Sequence, residues 1–287
     1  MHGVVAFVGL VLGSGCARTQ PRISAQSAAA PTEFVRRGDR VASGIGLSMV
    51  YVEAQTFAMG KPKGEVGFND QAQHAVTISK GYWLGETEVT QRMWREVMGT
   101  EPWKGREHVI DGDVVAATCM DWDEAVEFCR RLTLREGQGG RLPPGYEYLL
   151  PTEAEWELAC RAGSTAKSAF GSDPSRWREF AVFKENRDGE HAHCVKTRKA
   201  NDLGLFDMFG NVWELCADEI VGGALPGYED GDSVRDPVSE GGSRRVIRGG
   251  GYYTNAGDTS ALRRDLEHDD RCADTGFRPA LAARSFH

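Results

Sequence analysis

Arg245-Val246-Ile247-Arg248-Gly249-Gly250-Gly251-Tyr252-Tyr253-Thr254 is the stretch of this chain that most restricts what it can fold into. A β-branched run enters three consecutive glycines and leaves through two tyrosines. That order predicts a strand, a tight backbone passage in which no Cβ is tolerated, and a second strand. Any working site is expected beside this passage, which is followed by Arg263-Arg264 and by Thr275-Gly276-Phe277-Arg278.

Around it the chain offers short strands and few helices. Residues 49–52, 56–60 and 75–79 read as three strands of one sheet. Thr90 is placed to cap a helix that carries Met93, Trp94, Val97 and Met98 at helical spacing and stops at Gly99. Asp121 with Glu124 predicts a capping box for a second helix, with Cys129 on its inner face. Thr152 with Glu155 predicts another for a third helix, ended by Gly163. Beyond that point Gly, Asp, Asn and aromatic residues dominate, with short strands at 212–215, 245–248 and 276–280. The pattern is that of a loop-rich α+β protein.

Composition narrows the partners. The chain has 287 residues, 40% hydrophobic and 26% charged, with a net charge of -8. A polyanion is bound through clustered cations, and here Lys and Arg are scattered among acids, so nucleic acid is not an expected ligand. No phosphate-cradling glycine motif is present. Residues 1–15 contain no acid, Lys or Arg, and the apolar run 3–12 is too short to span a bilayer. This segment ends in Leu12-Gly13-Ser14-Gly15-Cys16, similar to a bacterial lipoprotein processing box. The expectation is a signal peptide over 1–15, lipidation of Cys16, a flexible tether over 16–46, and a folded domain over 47–284. Such a protein is exported to the periplasm or cell surface and meets the membrane through its lipid alone. The cysteines after Cys16 are Cys119, Cys129, Cys160, Cys194, Cys216 and Cys272; their even number permits bridges without assigning them. His191 and His193 flank Ala192 and could share a strand face, although loop histidines of this kind more often face solvent.

Taken with Leu150-Pro151-Thr152-Glu153-Ala154-Glu155-Trp156-Glu157 and Gly210-Asn211-Val212-Trp213-Glu214, the glycine passage resembles the formylglycine-generating enzyme (sulfatase-modifying factor) family, from about Met49 to Ala282. The resemblance implies a C-type-lectin-like fold with little regular secondary structure. It also implies two copper(I)-binding cysteines shortly after Arg-Gly-Gly, which oxidise a substrate cysteine to formylglycine. Here those positions hold Thr254 and Thr259, and the usual serine after Arg-Gly-Gly is Gly251. A threonine hydroxyl forms no thiolate near neutral pH and is a poor ligand for a soft monovalent ion, so copper is not expected. Cys272 is the only thiol nearby in sequence. The family's calcium segment carries over as the Asp207 side chain, the Gly210 and Val212 carbonyls, and Glu214, a hard oxygen set suited to that ion. In some relatives the positions of Cys129 and Cys160 bridge to cysteines near the C-terminus, which are Pro279 and Arg264 here, so those bridges cannot form. Pairing with another cysteine or a buried thiol is left for each.

Candidates for a binding groove are Arg248, Gly249, Gly250, Gly251, Tyr252, Tyr253, Arg263 and Arg278. Guanidinium groups there could hold a carboxylate or a peptide backbone, or could instead lock loops by donating to carbonyls. The favoured reading is a non-catalytic scaffold for a peptide, glycan or protein. The alternative is a formylglycine-generating oxidase or another metal-dependent oxidoreductase of the same family, for which the sequence displays no base, nucleophile or ligand cluster.

Overall fold

Alternate side chains of the central strands enter two different cores, because successive residues of a strand point to opposite faces. The computed structural model describes residues 35–60, 73–164, 174–220, 234–256, 264–267 and 271–283. The expected signal peptide, Cys16, Thr259 and Arg263 lie outside the described residues.

In chain order the elements are β1 (Arg40–Ala42), β2 (Ser48–Val52), β3 (Gln55–Met59), β4 (His74–Ile78), β5 (Tyr82–Gly85), α1 (Gln91–Met98), α2 (Trp122–Gln138), β6 (Tyr146–Leu149), α3 (Glu153–Arg161) and α4 (Pro174–Phe180). They continue with β7 (Trp213–Ile220), β8 (Val234–Arg235), β9 (Arg244–Arg248), β10 (Arg264–Glu267), β11 (Thr275–Gly276) and β12 (Ala280–Ala283). The largest sheet is five-stranded in the order β1-β2-β5-β12-β6. Leu84 of β5 faces Val50 on one side and Ala280 on the other, so the last strand completes the sheet that the first begins. A four-stranded sheet, β10-β9-β7-β11, carries the glycine passage at the end of β9, and a three-stranded sheet pairs β3, β4 and β8.

Val50, Val52, Tyr82, Leu84, Cys216, Val246 and Ala280 join one core with Ala154, Trp156, Leu158 and Ala159 of α3. Their strand neighbours Met49, Trp83, Leu215, Ile247 and Leu281 join the other, with α1 and α2. In that second core Phe128 stacks on Trp94 at 5.7 Å between ring centroids and meets Phe277 edge-on at 5.3 Å.

Helix starts follow the local chemistry. Thr90 accepts from the Met93 amide, and both capping boxes, Asp121/Glu124 and Thr152/Glu155, are formed. α3 ends one turn position earlier than Gly163, on Ala162 in the left-handed region at φ 50°. Three strand expectations change. β2 belongs to a different sheet from β3 and β4. Tyr252 and Tyr253 form a turn and not a strand, because the Thr254 amide donates back to the Gly251 carbonyl at 2.9 Å. The folded domain also begins before residue 47: β1 pairs with β2, and Ile45 is buried. A three-residue strand followed by a turn at Gly46 is too short to show periodicity against a polar background.

Truncating Phe128 removes the ring that joins α2 to Trp94 and Phe277, so Phe128→Ala is expected to cost about 3–5 kcal/mol, read from the urea midpoint at unchanged m.

Candidate functional site

β9 delivers Arg248 into the core and then turns. Gly249 and Gly250 take φ of 94° and 81°, and a Cβ on Gly249 would lie 3.2 Å from the Trp156 ring. The passage is stitched to the neighbouring loop by backbone bonds, from the Gly210 amide to the Gly249 carbonyl at 3.0 Å and from Tyr252 to Asn211 at 2.9 Å. Thr254 closes the turn: its hydroxyl accepts from the Gly251 amide at 2.9 Å.

Arg248 and Arg278, expected as groove candidates, line no groove. Arg248 is 1% exposed; it donates to Glu157 at 2.5 Å and sits over the Trp156 ring. Arg278 is fully buried and makes two bonds of 2.6 Å to the Glu214 carboxylate, with further bonds of 2.9 Å to the Gly85 and Phe206 carbonyls. Arg278 thus takes the loop-locking role that the sequence offered beside a groove role, and the counter-charges of both arginines come from distant parts of the chain. Tyr252 is buried too, with its hydroxyl on the His108 carbonyl at 3.3 Å.

Tyr253 alone of the described groove candidates presents a large side chain to solvent, at 38% exposure. Its hydroxyl donates to Glu190 at 2.7 Å, the Arg187 guanidinium lies 4.2 Å from the ring centroid, and His108 meets the ring edge-on. Arg187 also donates to Glu190 at 2.8 Å. The hydrogen bond from Tyr253 holds the Glu190 carboxyl below its usual range, helped by the Arg187 charge. This face therefore offers an aromatic ring, an imidazole and an ionised carboxylate together. His108, Arg187 and Glu190 carry no motif that would have placed them here from sequence.

In the segment expected to hold calcium, Asp207, Gly210 and Asn211 all have positive φ, of 56°, 74° and 61°. Burial pushes the Asp207 carboxyl up to about 6, with Glu214 adding repulsion, against a backbone bond from Lys196. Glu214 is engaged by both Arg278 bonds and by the Trp156 indole at 2.7 Å. Glu88, which the sequence did not single out, is the third acid. One of its oxygens accepts from the Asn211 side-chain amide at 3.0 Å and the other is buried with no partner. Burial, then the Asp207 charge, pushes the Glu88 carboxyl well above the usual range. Arg278 answers only part of the charge of these acids. On that ground a hard cation suits this acidic loop, where Glu214 already accepts three donors. Among the described residues no three acidic, histidine or cysteine side chains converge on a metal point.

The two loop histidines lie outside any named strand, although their rings are neighbours. Their rings lie 5.1 Å apart, but His193 Nε2 accepts from the Asp188 amide at 3.0 Å and His191 Nδ1 lies 3.0 Å from the Ala192 carbonyl. Burial, then His191, holds the His193 imidazole below its ordinary value. Cys129, Cys160 and Cys216 are buried free thiols, all raised in pKa by burial. Cys272 is not the only cysteine near the passage. Cys119, a buried free thiol at φ 64°, donates its amide to the Cys272 carbonyl at 3.0 Å.

An α+β frame with few helices, a left-handed glycine passage and buried arginine–glutamate pairs in place of regular structure defines the class to which this chain belongs. Residues 42–283 match the sulfatase-modifying factor enzyme 1-like domain, and the chain is a member of that family. It is 26% identical over 215 residues to the chaperone protein LppX of Paenibacillus barcinonensis, covering 58% of this chain and 70% of that protein. It is 35% identical over 148 residues to the formylglycine-generating enzyme of Streptomyces coelicolor, covering 46% of each, so the match spans less than half of that enzyme. The structure of Treponema denticola variable protein 1 superposes with a TM-score of 0.71 at 27% identity, covering 84% of this chain and 98% of that one. The C-type-lectin-like, formylglycine-generating-enzyme fold expected from the resemblance is the fold observed.

Two outcomes follow. Arg278→Met leaves the buried Glu214 carboxylate without its counter-charge and should lower stability by about 3–5 kcal/mol in chemical denaturation. The folded state of His193 favours the neutral ring, so its contribution is complete above the unfolded value near about 6.5 and is lost as pH falls through the lower folded value. His193→Gln should therefore lose less thermal stability than the unaltered protein when both are taken from neutral to mildly acidic buffer.

Proposed function

We propose that this chain is an exported, lipid-anchored member of its family that binds a peptide, glycan or protein without oxidising it. The observation that carries this reading is the engagement of Thr254: the residue standing at a family cysteine position closes the Gly251–Thr254 turn through its hydroxyl. A hydroxyl in that role offers neither a thiolate nor a soft ligand. The export and anchoring rest on residues 1–16 as read from sequence. The exposed Tyr253, with His108, Arg187 and Glu190 around it, supplies the contact face. Aromatic rings with a fixed polar rim suit peptide or sugar contacts, and the likeness to a protein named as a chaperone favours a polypeptide partner. Calcium belongs to the same reading as a structural ion at Asp207, the Gly210 and Val212 carbonyls and Glu214, where it would neutralise buried carboxylate charge and hold the loop against the glycine passage.

A second reading has one observation in its favour. Cys119 and Cys272 approach through their backbones beside the glycine passage, so an oxidase using displaced thiols is the competing reading. Incubating the purified full chain with a Cys-x-Pro-x-Arg peptide, copper and oxygen should yield no aldehyde; an oxygen-dependent aldehyde product would replace the binding reading with the oxidase one. Tyr253→Ala should abolish most of the signal on peptide and glycan arrays while leaving the melting temperature within about 2 °C of the parent, as expected for a surface change.

A further inference from the structure

Three different donor atoms meet at one point beside Tyr253. His108 Nδ1 lies 3.4 Å from the Tyr253 hydroxyl oxygen and 3.6 Å from Glu190 Oε2, and that carboxylate oxygen is 2.7 Å from the same hydroxyl. An imidazole nitrogen, a carboxylate oxygen and a phenol oxygen thus form a small triangle, and all three side chains are partly exposed. The point equidistant from its corners lies about 1.9 Å from each, just inside the distances of about 2.0–2.2 Å at which zinc binds nitrogen and oxygen, so an ion raised about 0.9 Å from the plane meets all three.

The corners are held from behind. Arg187 donates to Glu190 Oε1 at 2.8 Å and to the Tyr252 carbonyl at 3.4 Å, which leaves Oε2 turned toward His108 and Tyr253. The same guanidinium covers one face of the Tyr253 ring. His108 has φ 58°, a left-handed backbone that a residue with a side chain keeps only where its surroundings fix it, and its carbonyl accepts from the Tyr252 hydroxyl. Contacts of this kind orient metal ligands and are felt in affinity. The charge of Arg187 is answered by Oε1, and Asp274 adds negative charge that acts on Tyr253. The hydrogen bond to Glu190 raises the Tyr253 hydroxyl above its ordinary value, so an arriving cation has to displace that proton to solvent.

We infer that His108 Nδ1, Glu190 Oε2 and the Tyr253 oxygen bind a divalent first-row transition ion of the zinc type. One nitrogen and two oxygens suit such an ion better than calcium, which takes oxygen throughout, or copper(I), which takes sulfur. The residues are distinct from those of the calcium segment and from Thr254. Three protein donors leave a coordination position on the solvent side, where water, a carboxylate or a carbonyl can enter. The inference shares the contact face of the binding reading without resting on it, because zinc has no redox chemistry and its titration needs no partner.

Zinc titration of the chelator-stripped full chain by calorimetry, repeated with cobalt(II) followed by visible absorption, tests it. The unaltered protein should bind one equivalent and release a proton, seen as a heat that changes with the ionisation enthalpy of the buffer. His108→Asn tolerates the left-handed backbone but lacks the imidazole, and Glu190→Gln lacks the charge; each should weaken zinc binding about ten-fold or more. Tyr253→Phe keeps the ring under Arg187 and removes only the oxygen, so it should weaken binding about ten-fold and lose the proton release. His191→Asn, which alters the imidazole next to Glu190 in the chain but outside the triangle, should stay within about three-fold of the parent. All four variants should melt within about 2 °C of the parent in chelator, which separates a lost ligand from a lost fold. Absence of zinc and cobalt binding by the unaltered protein, parent-like affinity in any of the three triangle variants, or an equal loss in His191→Asn overturns the inference. None of these outcomes alters peptide or glycan array binding, which is measured without added metal.

Discussion

The bidentate contact between Arg278 and Glu214 is the interaction on which the rest of the molecule depends. Glu214 comes from β7, Arg278 from the bend between β11 and β12, and the same guanidinium holds the carbonyls of Gly85 at the end of β5 and of Phe206. The Trp156 indole adds α3 to the same carboxylate. One pair of side chains thus joins two sheets, a helix and a loop. Burying such a pair costs desolvation, and the geometry recovers it only because five donor–acceptor contacts are made at 2.6–2.9 Å. In a protein with short strands and long connections, arginine does what backbone ladders do elsewhere: it satisfies carbonyls that belong to no sheet.

Two consequences run outward from that centre. Trp156, fixed by Glu214 on its edge and by Arg248 on its face, crowds the place of a Cβ on Gly249. The left-handed turn at Gly249 and Gly250 itself calls for glycine, and the passage lies against the 207–213 loop. That loop in turn carries three residues at positive φ, two of them with side chains. Asp and Asn tolerate this backbone better than most residues, and here their side chains are held from outside the loop, by the Lys196 amide and by Glu88. The acidic centre and the turn that ends in Thr254 are two faces of one construction.

Legibility varied with the distance over which each feature is determined. The caps of α1, α2 and α3 were readable because their donors and acceptors lie three residues apart. The strands were readable as strands, but not their grouping: nothing local tells β2 to pair with β5 while β3 turns to β4. Arg248 and Arg278 were legible as groove cations or as locks on loop carbonyls, but not which carboxylates they meet, since Glu157 and Glu214 are 91 and 64 residues away. Glu88 stands in a stretch, Glu86-Thr87-Glu88-Val89, in which nothing local singles it out, and only burial from several sides gives it meaning. His108 and Glu190 reached the Tyr253 face through loops with no periodicity to follow.

Sequence by itself determined the family, the glycine passage and the helix starts, because each of these is written in residue type and short spacing. Tertiary structure alone decided which charges are matched. Removing an ion from water is governed by everything that surrounds it, so the contrast between a Glu214 gripped by arginine and a Glu88 left with one open oxygen arises only when distant segments close over both.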